Sequence, residues 1–167
     1  MFHEIFIILN IVVFFSGLPA DNPFVAMFHS SHFLWLAFYT LVLSAFGGKI
    51  EGQLGGPKFA FLYLAAGVLG NIGLLGIGAE EGIKMGASAP LFGIMGALVA
   101  INPGAWVVIE IFPMPAFAAA AFVLIIHFLV RGGVDAFPFL AGMAIGYSIR
   151  PSLEAQENKQ ARPDYVR

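Results

Sequence analysis

The chain has 167 residues, of which 59% are apolar and only 11% charged, with 18 phenylalanines, no cysteine and a formal net charge of −2. A soluble domain is roughly 25% charged, so this composition excludes a fully water-facing surface and makes lipid the expected solvent. It also excludes a nucleic-acid partner, because no basic face exists to neutralise phosphates, and it excludes disulfides, thiolate metal sites and a cysteine nucleophile.

The first apolar run covers 4–18. The preceding "MFHE" has no Lys or Arg and carries Glu4; a secretory leader needs a basic start, so the run reads as a retained span. "GLPADNP" (17–23), with two prolines, turns the chain into a second span over 32–47. "GGKIEGQLGGP" (47–57), with five glycines, reads as the next break. A third span covers 58–77, and "GAEEGIKMG" separates it from a fourth over 87–101. A fifth span covers 115–131, "RGGVD" breaks the chain again, and a sixth covers 136–149. Several spans are shorter than the ~20 residues of an upright crossing, which tilt or burial inside a bundle accommodates. The runs are continuous rather than alternating, and exposed sheet in lipid needs a closed barrel, so strands are not expected. There is no internal repeat. The reading is an all-α polytopic bundle of six transmembrane helices over 1–150, followed by a polar, disordered tail over 151–167.

Lys and Arg set the orientation. Six spans place Lys49, Lys58, Arg150, Lys159, Arg162 and Arg167 on one side and only Lys84 and Arg131 on the other. Both termini are therefore expected in the cytoplasm. Small residues mark helix contacts: Gly67, Gly70, Gly73 and Gly76 beside Asn71, then Ala89, Gly93 and Gly96, then Gly142 and Gly146. Trp106 and Glu110 belong to an interfacial stretch.

The order of motifs resembles the rhomboid family of intramembrane serine proteases over most of the chain. "FHSSHFLWLAFYTLVLSAFGGKIE" (28–51) resembles the family's second span, and "KFAFLYLAAGVLGN" its third. "GASAPLFGIMGA" resembles the fourth, where the family has G-x-S-G. "NPGAWVVIEIFPMPAF" (102–117) resembles the following loop, and "FLAGMAIGY" (139–147) the sixth span, where the family has a histidine three residues before a glycine. The resemblance implies acyl transfer at a serine, a histidine on the sixth span as its base, and a histidine and an asparagine near the second span steadying the oxyanion. It implies no cofactor and no metal.

Carried over residue by residue, that site is incomplete. Ser88 stands at the nucleophile position with Gly86 two before it, but Ala89 replaces the second glycine. Phe139 stands where the family has the base, Tyr39 where it has the asparagine, and Trp35 where it has the nearer histidine. His29 matches the outer histidine if the loop is one residue longer. A serine hydroxyl is a weak nucleophile without a base in reach, and a phenyl ring has no lone pair to offer. Ser88 is therefore a vestigial nucleophile, or a small residue bonded to its own helix as serines in membrane helices commonly are. His127, in "LIIHFLVR", is a substitute base or a neutral, hydrogen-bonded histidine near the outer interface. His29 shapes the loop or is simply solvated. His29 and His32 have a metal-like spacing, with only Asp21 near them in sequence. Glu51 closes a cytoplasmic loop.

The expected function is that of a rhomboid-like pseudoprotease in the lipid bilayer, binding transmembrane helices of other membrane proteins. The alternative is an intramembrane serine endopeptidase with a non-standard base. A small transporter or channel is more remote, because the spans carry almost no ionisable residues. Client helices would meet Phe33, Leu36, Tyr39, Thr40 and Leu43 on the second span and Phe117, Phe122 and Phe128 on the fifth. The location expected is the cell membrane of a prokaryote.

Overall fold

The computed structural model describes residues 1–19, 23–30, 32–76, 86–109, 112–131 and 136–160. Its elements are α1 (Phe2–Ser16), the single turn α2 (Pro23–Ala26), α3 (Phe33–Leu54), α4 (Gly56–Gly76), α5 (Ser88–Ile101), β1 (Trp106–Ile109), β2 (Phe112–Pro115), α6 (Ala116–Arg131) and α7 (Ala136–Gln160). Asp21, Lys84, Glu110, Arg162 and Arg167 lie outside the described residues.

By length and composition, α3 is suited to cross a membrane. The apolar helices Phe2–Ser16, Gly56–Gly70, Ser88–Ile101 and Ala116–Val130 are shorter. The outward faces are apolar as well, with Leu34, Phe61, Phe15 and Leu129 all exposed. A surface of this kind is suited to lipid or to another helix.

The centre is α5. Every residue from Ser88 to Leu98 is buried, so no polar stripe is needed on any side of this helix. Its neighbour α7 approaches to backbone contact. A side chain at Gly142 would collide with the Gly93 carbonyl, and one at Gly146 would stand 2.6 Å from the Ala97 carbonyl. The two pairs step along both helices in the same direction, so α5 and α7 run parallel. On the other flank, Gly93 is met by the Cβ of Ala66 in α4. Gly67 receives Met27, whose sulfur would be 2.9 Å from a Cβ there. Of the glycine pattern in the sequence, Gly67, Gly93, Gly96, Gly142 and Gly146 thus mark close contacts of α4, α5 and α7. α6 buries a stripe of small residues, Ala116, Ala119, Ala120 and Val123, and continues it with His127; this is helical spacing with one face inward.

Four expectations need correction. First, α3 does not break at Gly47 and Gly48 but continues to Leu54. Glycine weakens a helix by about 1 kcal/mol relative to alanine; here its missing side chain makes room for α1, since a Cβ at Gly47 would stand 3.0 Å from the His3 Cβ. Staying helical also aims Glu51 at the start of α1. Its carboxylate accepts the backbone N–H groups of Phe2 (2.9 Å) and His3 (3.0 Å) and meets His3 Nδ1 at 2.6 Å. Glu51 therefore caps a helix whose first N–H groups lack intrahelical partners rather than closing a loop.

Second, Trp106–Ile109 and Phe112–Pro115 form a two-stranded antiparallel sheet pairing Trp106 with Pro115 and Ile109 with Phe112. The alternation is too short to stand out from continuous apolar runs, yet Val107 is buried while Trp106 and Val108 are exposed. The sheet leads directly into α6: Ala116 N–H donates to Ala105 O (2.7 Å) and Phe117 N–H to Pro103 O (3.1 Å). Third, α7 does not stop at Arg150 but runs to Gln160. Glu, Ala, Gln and Lys after Pro151 are good helix formers, which polarity alone does not reveal. Fourth, three residues assigned to an outer client face, Leu36, Tyr39 and Leu43, are buried. Tyr39 and Leu43 pack into the core of the bundle, and Leu36, though buried, also lines a groove along α3.

Candidate functional site

Ser88 is the first residue of α5 and is fully buried. The turn before it depends on Gly86, whose φ is +64°. L-residues rarely adopt that conformation, and a Cβ at Gly86 would also stand 2.5 Å from the His29 carbonyl oxygen. The same carbonyl accepts the Ala87 N–H at 3.0 Å. The loop after α2 is thus tied by its main chain to the turn that carries Ser88. His29 reaches this turn through its carbonyl. Its ring Nδ1 and the Ser30 hydroxyl are buried without a hydrogen-bond partner among the described residues. His32 is the N-cap of α3, with extended backbone, and its carbonyl accepts the Leu36 N–H at 3.1 Å.

One turn further down α5 is a second group. Phe92 follows Ser88 by four residues and so lies on the same helix face, about 6 Å along the axis. Its ring meets the His127 imidazole edge-on at 4.9 Å. His127 is fully buried, and its Nε2 is 3.1 Å from the Tyr39 hydroxyl. Trp35 stands edge-on to the imidazole at 4.9 Å, and Phe38 stacks near it at 6.4 Å. Trp35 and Tyr39 in turn stack on each other at 5.8 Å. Two residues chosen from the sequence for unrelated reasons, Tyr39 and His127, therefore form one buried pair across 88 positions. Burial without a partner would be costly for either polar group; together they share one hydrogen bond. The tyrosine can donate to a neutral imidazole or accept from a protonated ring nitrogen.

Phe139 belongs to α7, and its side chain is partly buried against the core. Its carbonyl oxygen lies against the Cα of Gly96, two turns below Ser88 on α5. Phe38 and Phe92 were not foreseen as members of the group around His127. Their helical spacing from Tyr39 and Ser88 is visible in the sequence, but the facing of α3 towards α6 is not. Separately, a groove of about 580 Å³ follows the outer face of α3 past Phe33, Ala37, Thr40 and Ser44, between Ile11 of α1 and Val108 of β1.

A match to the Rhomboid domain family covers residues 22–153. The chain is similar to "Rhomboid protein 1, mitochondrial" of Saccharomyces cerevisiae, at 26% identity over 148 residues, covering 80% of this chain and 43% of that protein. It is also similar to "Rhomboid protease GluP" of Bacillus subtilis, at 39% identity over 64 residues, covering 38% of this chain and 12% of that protein. The chain thus spans less than half the length of the curated relatives it matches.

Proposed function

The chain belongs to the rhomboid family, and from that premise we propose that it is a six-span membrane pseudoprotease, which holds transmembrane segments of client proteins without cutting them. The observation that carries this reading is the side chain at the base position: Phe139 has no atom that can take the Ser88 proton. The positions of the two side-chain oxyanion helpers hold Trp35 and Tyr39, which are packed around His127. The second reading, a serine endopeptidase working through Ser88, is favoured by the preserved Gly86–Ser88 turn and its bond to His29.

A client helix would lie along the outer face of α3, where the groove past Ala37 and Thr40 offers apolar walls and small side chains. Photo-crosslinkers at Ala37 and Phe122 are expected to capture single-span clients, whereas one at Phe61 on α4, which is also exposed, is not. Equal capture at all three positions, or capture at none, would remove the lateral cleft.

The orientation proposed places both termini and 49–58 in the cytoplasm, from the distribution of Lys and Arg. The two relatives are named from a mitochondrion and a bacterium, so they do not single out the cell membrane of a prokaryote. The absence of native cysteine makes the topology test clean. Cysteines placed singly at Gly52 and Glu81 are expected to react with an impermeant thiol reagent only at Glu81 in sealed, right-side-out membranes. Labelling at Gly52 alone would invert the orientation.

A further inference from the structure

We propose that the face of the β1–β2 sheet carrying Trp106, Val108 and Pro113 is a membrane-docking surface, seated among the upper acyl chains beside α3. Its place in lipid rests on the reading of the chain as a membrane protein, and the test below separates the two. Ala116 N–H donates to Ala105 O at 2.7 Å, so Ala105–Ala116 is a hydrogen-bonded pair and fixes the parity of the ladder. Bonded and non-bonded pairs alternate along antiparallel strands. Val107–Met114 and Ile109–Phe112 are then the bonded pairs, and Trp106–Pro115 and Val108–Pro113 the non-bonded ones. The backbone groups of a residue in a non-bonded pair point away from the partner strand. On β2 those residues are Pro113 and Pro115, and proline has no N–H. Both N–H groups of β2, from Phe112 and Met114, therefore face β1, and its outer edge carries carbonyls alone.

Successive side chains alternate between the faces of a strand, so Trp106 and Val108 share a face with Pro113 and Pro115. Trp106, Val108 and Pro113 are exposed, and none of the four is charged. Val107, on the opposite face, is fully buried. What covers the exposed face follows from where the sheet sits. β1 packs against α3, and Val108 lines one groove with Leu41, Ser44 and Ala45. Ala45 precedes the end of α3 at Leu54 by nine residues, or about 14 Å along its axis. The sheet thus flanks the helix suited to cross a membrane instead of lying beyond its end. The exposed Phe117, at the start of α6, continues the apolar surface. In lipid every backbone group without a partner is costly, and the two prolines halve the number on the outer edge of β2. The carbonyls that remain need water, and tryptophan favours the membrane interface. Together they set the depth: the face lies in the upper acyl chains, and the edge where water still reaches.

The experiment uses the full chain in lipid nanodiscs. The sequence has no cysteine, so single cysteines can carry a spin label at Val108, at Phe61 on α4 and at Lys58, all exposed. Collisions with oxygen, which concentrates in acyl chains, are compared with collisions with a water-soluble nickel chelate. The oxygen-to-nickel ratio at Val108 is expected to be several-fold above that at Lys58, with Phe61 higher still. The chain has two tryptophans, so Trp35→Phe leaves Trp106 as the fluorescent reporter. Its emission should be quenched more by lipids brominated near the head of the acyl chain than by lipids brominated near the tail. Pro113→Ala adds one N–H to the outer edge and is expected to lower the ratio at Val108 without changing that at Phe61. A Val108 ratio equal to that at Lys58, with Phe61 in lipid, would overturn the docking surface and leave the membrane reading in place. Low collision rates with both reagents at Val108 would also overturn it, by showing protein over the face. A Phe61 ratio as low as that at Lys58 would remove the membrane reading and the docking surface together. An unaltered Val108 ratio in Pro113→Ala would overturn the part given to the prolines.

Discussion

Gly142→Val is expected to abolish the folded protein. The Cβ of any larger residue at 142 would overlap the carbonyl oxygen of Gly93 and crowd its Cα. These are backbone atoms in the middle of a buried helix, so they cannot swing aside as a side-chain tip can. Relief requires separating α5 from α7, which would also lift Gly146 from Ala97 and Phe139 O from Gly96. Overpacking of cores typically costs about 1–3 kcal/mol and occasionally more; a collision between two main chains belongs at the upper end or beyond. Gly52→Ala is the matched control, because nothing lies within 4 Å of a Cβ there and the position is helical. That variant should gain up to about 1 kcal/mol. Thermal unfolding in detergent, followed by circular dichroism and gel filtration, separates the two outcomes. A monodisperse Gly142→Val protein with an unchanged Tm would mean that α5 and α7 do not touch at this point.

The same contact shows which features were legible in the sequence. Gly142 and Gly146 are four apart, as are Gly93 and Ala97, and in lipid such spacing has few uses besides helix approach. The apolar runs match α1, α4, α5 and α6 within a few residues, and the starts of α3 and α7, because their length and the turn residues between them are strong signals. The sequence was misleading where a residue's conformation is set by a distant partner. Gly47 and Gly48 look like a break; their helical state becomes reasonable only once Glu51 is seen to cap α1 and His3 to fill the space beside them. The pairing of 106–109 with 112–115 was hidden because four-residue strands carry too little alternation to be distinguished from an apolar run. At the candidate site, the turn Gly86–Ser88 was readable from local chemistry. The Tyr39–His127 pair was not, since it depends on which faces of α3 and α6 meet. Both residues had drawn attention separately, one as a substitution and one as an ionisable group within an apolar span, and only the fold joins them.

Phe139→His is expected to leave the protein without protease activity, even though it puts a histidine at the position proposed for the base. Three conditions must hold together for a serine to attack a peptide bond. The base must come within about 3 Å of the hydroxyl, donors must face the developing oxyanion, and the substrate carbonyl must have room to enter. The substitution addresses only the first. Residue 139 is fixed at the backbone level against Gly96, so the helix frame should survive the change and the variant should fold. The second condition still fails on the side-chain part, because Trp35 and Tyr39 remain where the family has a histidine and an asparagine. The third is opposed by their packing: Trp35, Tyr39, Phe92 and His127 fill the volume one turn below Ser88. Catalytic groups that act as a unit do not contribute separately, so one restored member does not recover the roughly 10²–10⁴-fold that a working general base supplies. A fluorophosphonate probe should label neither the unmodified protein nor Phe139→His above the level of a Ser88→Ala control, and a helical substrate should remain uncut by all three. Labelling of the unmodified protein that depends on Ser88 would show that another base already serves it, with His127 the first to be tested by His127→Phe. Cleavage by Phe139→His alone would show that the aromatic residues leave the oxyanion position open, and the pseudoprotease reading would then rest on a single side chain.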